Sequence, residues 1–257
     1  MLLALLQNDA SLLGQTLSRL EPRLRFDLAE PPDAVGAGYV ENNHALLRKR
    51  PGSSEAARRP LSLLEGVVSP AIVLQVRRQS RGTYKDENAP PYRFKRWIFA
   101  HYGEVARFGD LRPALLDQLP PFLQRAVRGQ TDSEHLFALL LAQMKLRGIL
   151  DATTVRLETL ANAAHDTLQT IEALAAEVGG GGRSTLNLVA TNGRYLLAAR
   201  KGDLPLYWTV LEGAEAGAEH LKALVVSSHP EAPEAWTPMG DGEVLVTGRE
   251  LEPLVRA

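Results

Sequence analysis

The chain has 257 residues, with 29 Lys and Arg against 30 Asp and Glu, and it contains no cysteine. A composition of 45% apolar and 23% charged residues is ordinary for a globular protein and excludes wholesale disorder. Without cysteine there is no disulfide, no cysteine-ligated zinc, no iron–sulfur cluster and no thiol nucleophile in these residues, and no apolar run reaches the ~20 residues of a membrane span.

The near-neutral total hides an asymmetry. Arg48 to Arg96 holds twelve Lys/Arg and four Asp/Glu, whereas Asp203 to the C-terminus holds ten acids and three bases. Tyr84, Tyr92, Phe94 and Trp97 interleave the basic stretch, a pattern compatible with phosphate tracking and base stacking. No nucleic-acid motif accompanies it, so the expectation is a solvated region balanced by the acidic C-terminal part, not a nucleic-acid partner.

In chain order, Leu2 to Leu6 is a continuous apolar run, as in a strand buried on both faces; it lacks the basic flank of a signal peptide, and the cytoplasm is the expected compartment. Asp9 N-caps a helix carrying Leu12, Leu13, Leu17 and Leu20. Gly36 and Gly38 open a strand, and Asn42-Asn43 turns it into Ala45-Leu46-Leu47. Pro51 to Pro60 reads as a polar loop, Leu61 to Val67 as a short helix and Ala71 to Val76 as a buried strand. Gln79 to Arg93 reads as an extended loop, followed by a strand at Trp97 to Ala100 that ends at His101-Tyr102-Gly103.

Thr131-Asp132-Ser133-Glu134 has the capping-box pattern and opens a helix through Leu146; a second helix is predicted from Thr153 to Glu177. The tetraglycine Gly179–Gly182 lacks the Lys-Ser/Thr of a phosphate-binding loop and reads as a connector. Thr185 to Thr191 and Arg194 to Arg200 flank the hairpin signal Asn192-Gly193, with further strands at Leu206 to Leu211, Leu221 to Ser227 and Val244 to Thr247. Strands, then helices, then strands indicate one α+β domain over residues 1–257, with two sheets and a helical layer supplied from mid-chain.

Several segments together resemble class II glutamine amidotransferases, which have the N-terminal-nucleophile (Ntn) hydrolase fold. They are GAGY at Gly36–Tyr39, VRRQS at Val76–Ser80, NAPPYRFKRWIFAHYGEV at Asn88–Val105, GQTDSEHLFALLL at Gly129–Leu141, LNLVATNGRYLLAAR at Leu186–Arg200, PLYW at Pro205–Trp208 and the closing stretch Val225–Thr247. The resemblance implies an αββα sandwich of two antiparallel sheets between helical layers.

It also implies a chemistry that can be checked position by position. The family's nucleophile is a cysteine exposed at the N-terminus once the initiator Met is removed, with its free α-amine serving as base; here the second residue is Leu2, and Ser11, the nearest hydroxyl, lies beyond the strand. The family's oxyanion Asn-Gly pair is matched by Tyr102-Gly103, which keeps the glycine and loses the amide donor. Two family histidines are replaced, by Gln75 and by the Pro90-Pro91-Tyr92 segment. Arg77 and Asp132 fall where the family grips the substrate carboxylate and amino group; an ion-pair partner and a first-turn dipole carboxylate account for the same residues equally well.

Elsewhere the six histidines show no metal spacing, and there is no GxSxG elbow. No cofactor or metal is expected. Two readings stand: a degenerate family member, non-catalytic, that keeps an amino-acid pocket at Arg77, Gly103 and Asp132 or binds a protein partner or a second copy; and an active amidotransferase or amidohydrolase with a relocated nucleophile.

Overall fold

The computed structural model describes residues 1–26, 32–77, 85–179, 182–213 and 219–257. Tyr84 and the Arg78–Ser80 end of the VRRQS segment lie outside the described residues.

Two antiparallel sheets face one another. The first takes β1 (Leu2–Gln7), β2 (Ala34–Glu41), β3 (His44–Pro51), β4 (Ala71–Arg77), β9 (Tyr207–Glu212), β10 (Lys222–Ser227) and β11 (Thr237–Pro238), in the order β11-β9-β10-β1-β4-β2-β3. The second takes β5 (Tyr92–Phe94), β6 (Trp97–Glu104), β7 (Thr185–Thr191), β8 (Leu196–Ala199), β12 (Val244–Thr247) and β13 (Leu254–Arg256), in the order β13-β12-β8-β7-β6-β5.

All six residues of β1 are buried, because its alternate side chains enter two different cores. Leu2, Ala4 and Leu6 join Val73, Ile98, Ala100, Val189, Ala198, Leu224 and Val226 between the sheets. Leu3 and Leu5 pack outward against α1 (Leu13–Leu20) through Leu13, Leu17 and Leu20. On the far face of the second sheet, Phe99, Leu188 and Leu197 pack against α3 (Phe108–Asp117), α5 (Asp132–Leu146) and α6 (Leu157–Val178). The layers are therefore helix, sheet, sheet, helix, the αββα sandwich that the resemblance implied. Among the described residues no helix is long and apolar enough to cross a membrane.

Local signals held where the chemistry is local. Asn42 and Asn43 both adopt left-handed φ, 48° and 68°, as a two-residue hairpin turn requires. Asn192 Oδ1 accepts from the N–H groups of Arg194 and Tyr195 to close the β7–β8 turn. Thr131 Oγ1 accepts from Glu134 N, but the Glu134 carboxylate reaches past the reciprocal capping bond to the N–H groups of Arg128 and Gly129.

Tertiary contacts moved other boundaries. Gly36 and Gly38 sit inside β2 and do not open it. A Cβ on Gly36 would stand 2.1 Å from Pro90 O, and one on Gly38 2.5 Å from Ile98 Cγ2. The Pro51–Pro60 loop contains a four-residue helix, α2 (Glu55–Arg58), and the helix predicted at Leu61–Val67 is a 3₁₀ turn over Pro60–Leu64. The Gln79–Arg93 loop gives up Tyr92 and Arg93 to β5, and β6 continues through His101, Tyr102 and Gly103 because these pair with Leu188, Asn187 and Leu186 of β7.

Two further helices were not anticipated. The spacing in α3 is interrupted by Pro113, which cannot donate to Gly109 O, and α4 (Pro121–Gln124) is a single turn. The second long helix starts at Leu157, four residues late, and ahead of it Val155 N is bonded to Tyr195 Oη at 2.9 Å.

Parts of the basic and acidic stretches lie far apart in strand order. Basic β3 forms one edge of the seven-stranded sheet, while β9 and β11 of the acidic stretch lie at the other. Cations of the basic stretch bond main-chain carbonyls, Arg48 to Leu63 O, Lys49 to Asp86 O and Arg93 to Ala45 O, and Lys95 pairs with Asp151.

Candidate functional site

The N-terminal end of β1 opens onto a polar end of the inter-sheet core. Register places Leu2 opposite Gln75 of β4, and Gly36 of β2 opposite Gln75 on its other side. Leu2 is 0% exposed. On the strand's other flank Ser228 N donates to Leu2 O at 3.0 Å, and Leu2 N donates to Ser228 Oγ at 2.9 Å. Ser228 Oγ also lies 2.7 Å from His229 Nδ1, and the His229 ring meets Tyr102 edge-on, with centroids 5.3 Å apart. Ser11 hydrogen-bonds Asp9 past the opposite end of β1.

Gln75 ties the two sheets together. Its Nε2 donates to His101 O at 2.6 Å, while its Oε1 is buried with no hydrogen-bond partner among the described residues. Asn187, opposite Tyr102, likewise donates through Nδ2 to Leu204 O and Pro205 O and leaves Oδ1 buried and unpartnered. Buried acceptors without donors are uncommon, and both belong to residues that face the inter-sheet space.

On the other face of β6, His101 sets its Nδ1 3.1 Å from Ser133 Oγ and its Nε2 3.0 Å from Thr185 O. Because Nε2 faces a carbonyl oxygen, it carries the proton. Gly103 has φ +146°, and a Cβ there would lie 2.0 Å from Thr185 O, so only glycine fits.

Tyr92 bridges Asn88, which accepts from Arg77, and Thr131, which precedes Asp132. Arg77 donates to Asn88 O, and the Tyr92 hydroxyl bonds Asn88 O at 3.0 Å and Thr131 Oγ1 at 2.8 Å. Burial pushes the Tyr92 phenol up to about 12, against its hydrogen bond to Thr131 and the nearby Arg77 cation. Burial also holds the Lys49 ammonium, 5.7 Å over the Tyr92 ring, below its ordinary value. Asp132 accepts from Val105 N at 3.0 Å through Oδ2 and from Ser133 N at 2.7 Å through Oδ1, so its carboxylate caps two backbone donors. Among the described residues no group of three His, Asp or Glu side chains is placed to hold a metal.

With this geometry in view, a family model, Glutamine amidotransferases class-II, matches residues 29–250. The chain belongs to the class II glutamine amidotransferase family. The matched span begins after β1, so Leu2 lies outside it. A probable glutamine amidotransferase of Saccharomyces cerevisiae, DUG3, is 26% identical over 129 residues, 47% of this chain and 36% of that protein; the match thus spans about a third of the relative's length. The structure of a predicted glutamine amidotransferase from Pseudomonas aeruginosa superposes with a TM-score of 0.66 at 18% identity, covering 99% of both chains. A glutamine aminotransferase class-II domain protein from Silicibacter pomeroyi gives 0.62 at 21% identity, covering 87% of this chain and 90% of the other. These structural likenesses establish the shared fold.

Sequence reasoning missed Ser228 and His229. They follow a buried strand with no motif spacing; Ser228 reaches Leu2 through the pairing of β10 with β1, and His229 bonds Ser228.

Proposed function

We propose that this chain is a catalytically degenerate member of the class II glutamine amidotransferase family, acting as a binding, regulatory or interaction protein that keeps an amino-acid pocket. The observation that carries the reading is Leu2. The β1 position that the family resemblance assigns to the nucleophile holds a fully buried hydrocarbon side chain, with its N–H engaged by Ser228. Such a side chain offers no atom for acyl transfer. Tyr102 stands where the resemblance puts the oxyanion amide, and its ring packs on His229. Arg77 and Asp132 supply the complementary charges for an amino-acid backbone, each preset by main-chain partners.

Ammonia release from glutamine by the purified chain tests the catalytic half of the proposal. A rate equal to that of the Arg77→Met variant is expected, and a rate well above it would overturn the reading. Thermal shift with glutamine and glutamate tests the pocket: a rise abolished by Arg77→Met supports it. No rise with either amino acid removes the pocket and leaves an interaction protein, whose partner is another protein or a second copy of this chain.

A second reading rests on Ser228. Its hydroxyl accepts from Leu2 N and can donate to His229 Nδ1 at 2.7 Å, the hydrogen-bond relationship of a base-activated nucleophile. Fluorophosphonate labelling lost in both Ser228→Ala and His229→Gln would favour an amidohydrolase with a relocated nucleophile. An unlabelled wild-type chain would dismiss it.

A further inference from the structure

A cavity of about 310 Å³ lies outside the second sheet, between the start of α3 and the C-terminal end of α6. It is lined by Arg107, Arg183, Lys201 and Glu172, by Ser184, and by an apolar wall that includes Leu111. It shares no residue with the inter-sheet end described above. Its volume is at the lower end of the range for small-molecule sites.

Three cations converge on it, and each is positioned from outside or at the rim by a carboxylate. Arg107 Nε donates to Asp110 Oδ2 at 2.9 Å, Arg183 pairs with Asp241 and Asp203, and Lys201 Nζ lies 2.9 Å from Glu172 Oε1. A guanidinium has five N–H donors and an ammonium three, so these bonds leave donors on all three groups. Arg107 also donates to Gly179 O and so offsets the negative end of the α6 dipole, which would otherwise oppose an anion. It does this from a left-handed backbone, φ 54° and ψ 34°, an unfavourable conformation for a non-glycine residue. Asp241 is held below its ordinary value, first by the Gly202 N–H and further by Lys201, Arg183 and Arg200, so it stays charged as the anchor of Arg183.

We propose that this cavity binds a small organic oxyanion, a phosphate ester or a polycarboxylate, whose charged group is held by Arg107, Arg183 and Lys201 while its carbon skeleton lies on Leu111 and the neighbouring alanines. Among the described residues Glu172 is the one lining carboxylate. It fixes Lys201 in place and limits how strongly the site holds a multiply charged ligand.

The test is a thermal-shift and calorimetric titration of the full chain with inorganic phosphate and with succinate, at constant ionic strength in chloride. A saturable rise in melting temperature is expected with at least one of them. Phosphate alone assigns a phosphorylated ligand, succinate alone a polycarboxylate. Lys201→Met should weaken binding about tenfold, the size expected for losing a hydrogen bond to a charged group. Glu172→Gln, which removes the opposing charge and keeps the donor geometry, should tighten it by roughly threefold. Arg77→Met should leave this response unchanged, separating it from the inter-sheet pocket. Absence of a saturable response to both anions overturns the proposal, as does a response that neither Lys201→Met nor Glu172→Gln alters.

Discussion

Gln75 of the seven-stranded sheet donates its side-chain amide to the main-chain carbonyl of His101 in the six-stranded sheet at 2.6 Å, inside the core between them. The bond joins the two layers at the end where Leu2 is buried, and the other half of the same amide has no hydrogen-bond partner among the described residues. Gln75→Met keeps the length of the side chain but strands the His101 carbonyl. A loss of about 1–2 kcal/mol is expected, measured as a lower urea midpoint at unchanged slope.

Leu2→Cys restores a thiol without restoring the family's oxyanion amide. Ammonia release from this variant should stay close to background. Adding Tyr102→Asn should raise it by about 10²–10³, the usual contribution of one oxyanion donor, in a glutaminase assay of the single and double variants. Equal rates in the two would show that Tyr102 does not stand at the donor position.

Close packing makes the Gly36 prediction severe. Gly36→Ala would place its methyl 2.1 Å from Pro90 O and 2.7 Å from Pro91 Cδ. A backbone carbonyl cannot rotate away as a flexible side chain can, so a loss of about 3 kcal/mol is expected by chemical denaturation.

His135 gives a pH dependence of definite sign. It is fully buried at the start of α5, with Nδ1 2.8 Å from Thr131 O, Nε2 accepting from Arg112 Nε at 3.2 Å, and Phe108 against its ring. Burial first, and then the Arg112 cation, hold its pKa below 6.5, although Thr131, Glu134 and Asp132 pull the other way. Above pH 6.5 neither folded nor unfolded chain protonates this residue. Below it the unfolded chain takes up a proton that the folded chain refuses, so stability falls as pH drops from about 6.5 toward the lower folded value. Urea melts between pH 7.5 and 5 should show this slope, and His135→Gln should flatten it.

Asp9 has the same sign in a more acidic window. Its side chain pairs with His220, accepts from the Ser11 hydroxyl and caps the first turn through Ser11 N, and these bonds lower its pKa from 3.8 to about 2. The contribution is fully present above pH 3.8 and is lost as pH falls through about 2. Asp9→Ala should cost about 1 kcal/mol at neutral pH, the value of an N-cap, by thermal or urea unfolding.

The parts of the fold that were legible in the sequence are those whose cause is local. Asn42-Asn43 turns because both residues tolerate left-handed φ, and Thr131 caps because its hydroxyl needs only the N–H three residues on. The family segments and the expectation at Leu2, Tyr102, Gly103, Arg77 and Asp132 came from the order of short motifs along the chain. What was not legible depended on distant partners. The extension of β6 through Tyr102 follows from pairing with Asn187, and Gly36 inside β2 follows from Pro90 crossing above it.

The sequence by itself determined that these residues hold no thiol, that Leu2 begins a strand apolar on both faces, and that opposite charges gather in two stretches. Only the tertiary structure decided what surrounds Leu2 and where those charges go. Ser228 lies 226 positions from Leu2 and reaches it through the pairing of β10 with β1, a contact without a local signature. The basic and acidic stretches were expected to offset one another; strand order puts basic β3 and acidic β9 and β11 at opposite edges of one sheet. Hydrophobic burial selects which faces meet, and hydrogen-bonded register then sets which polar groups arrive together.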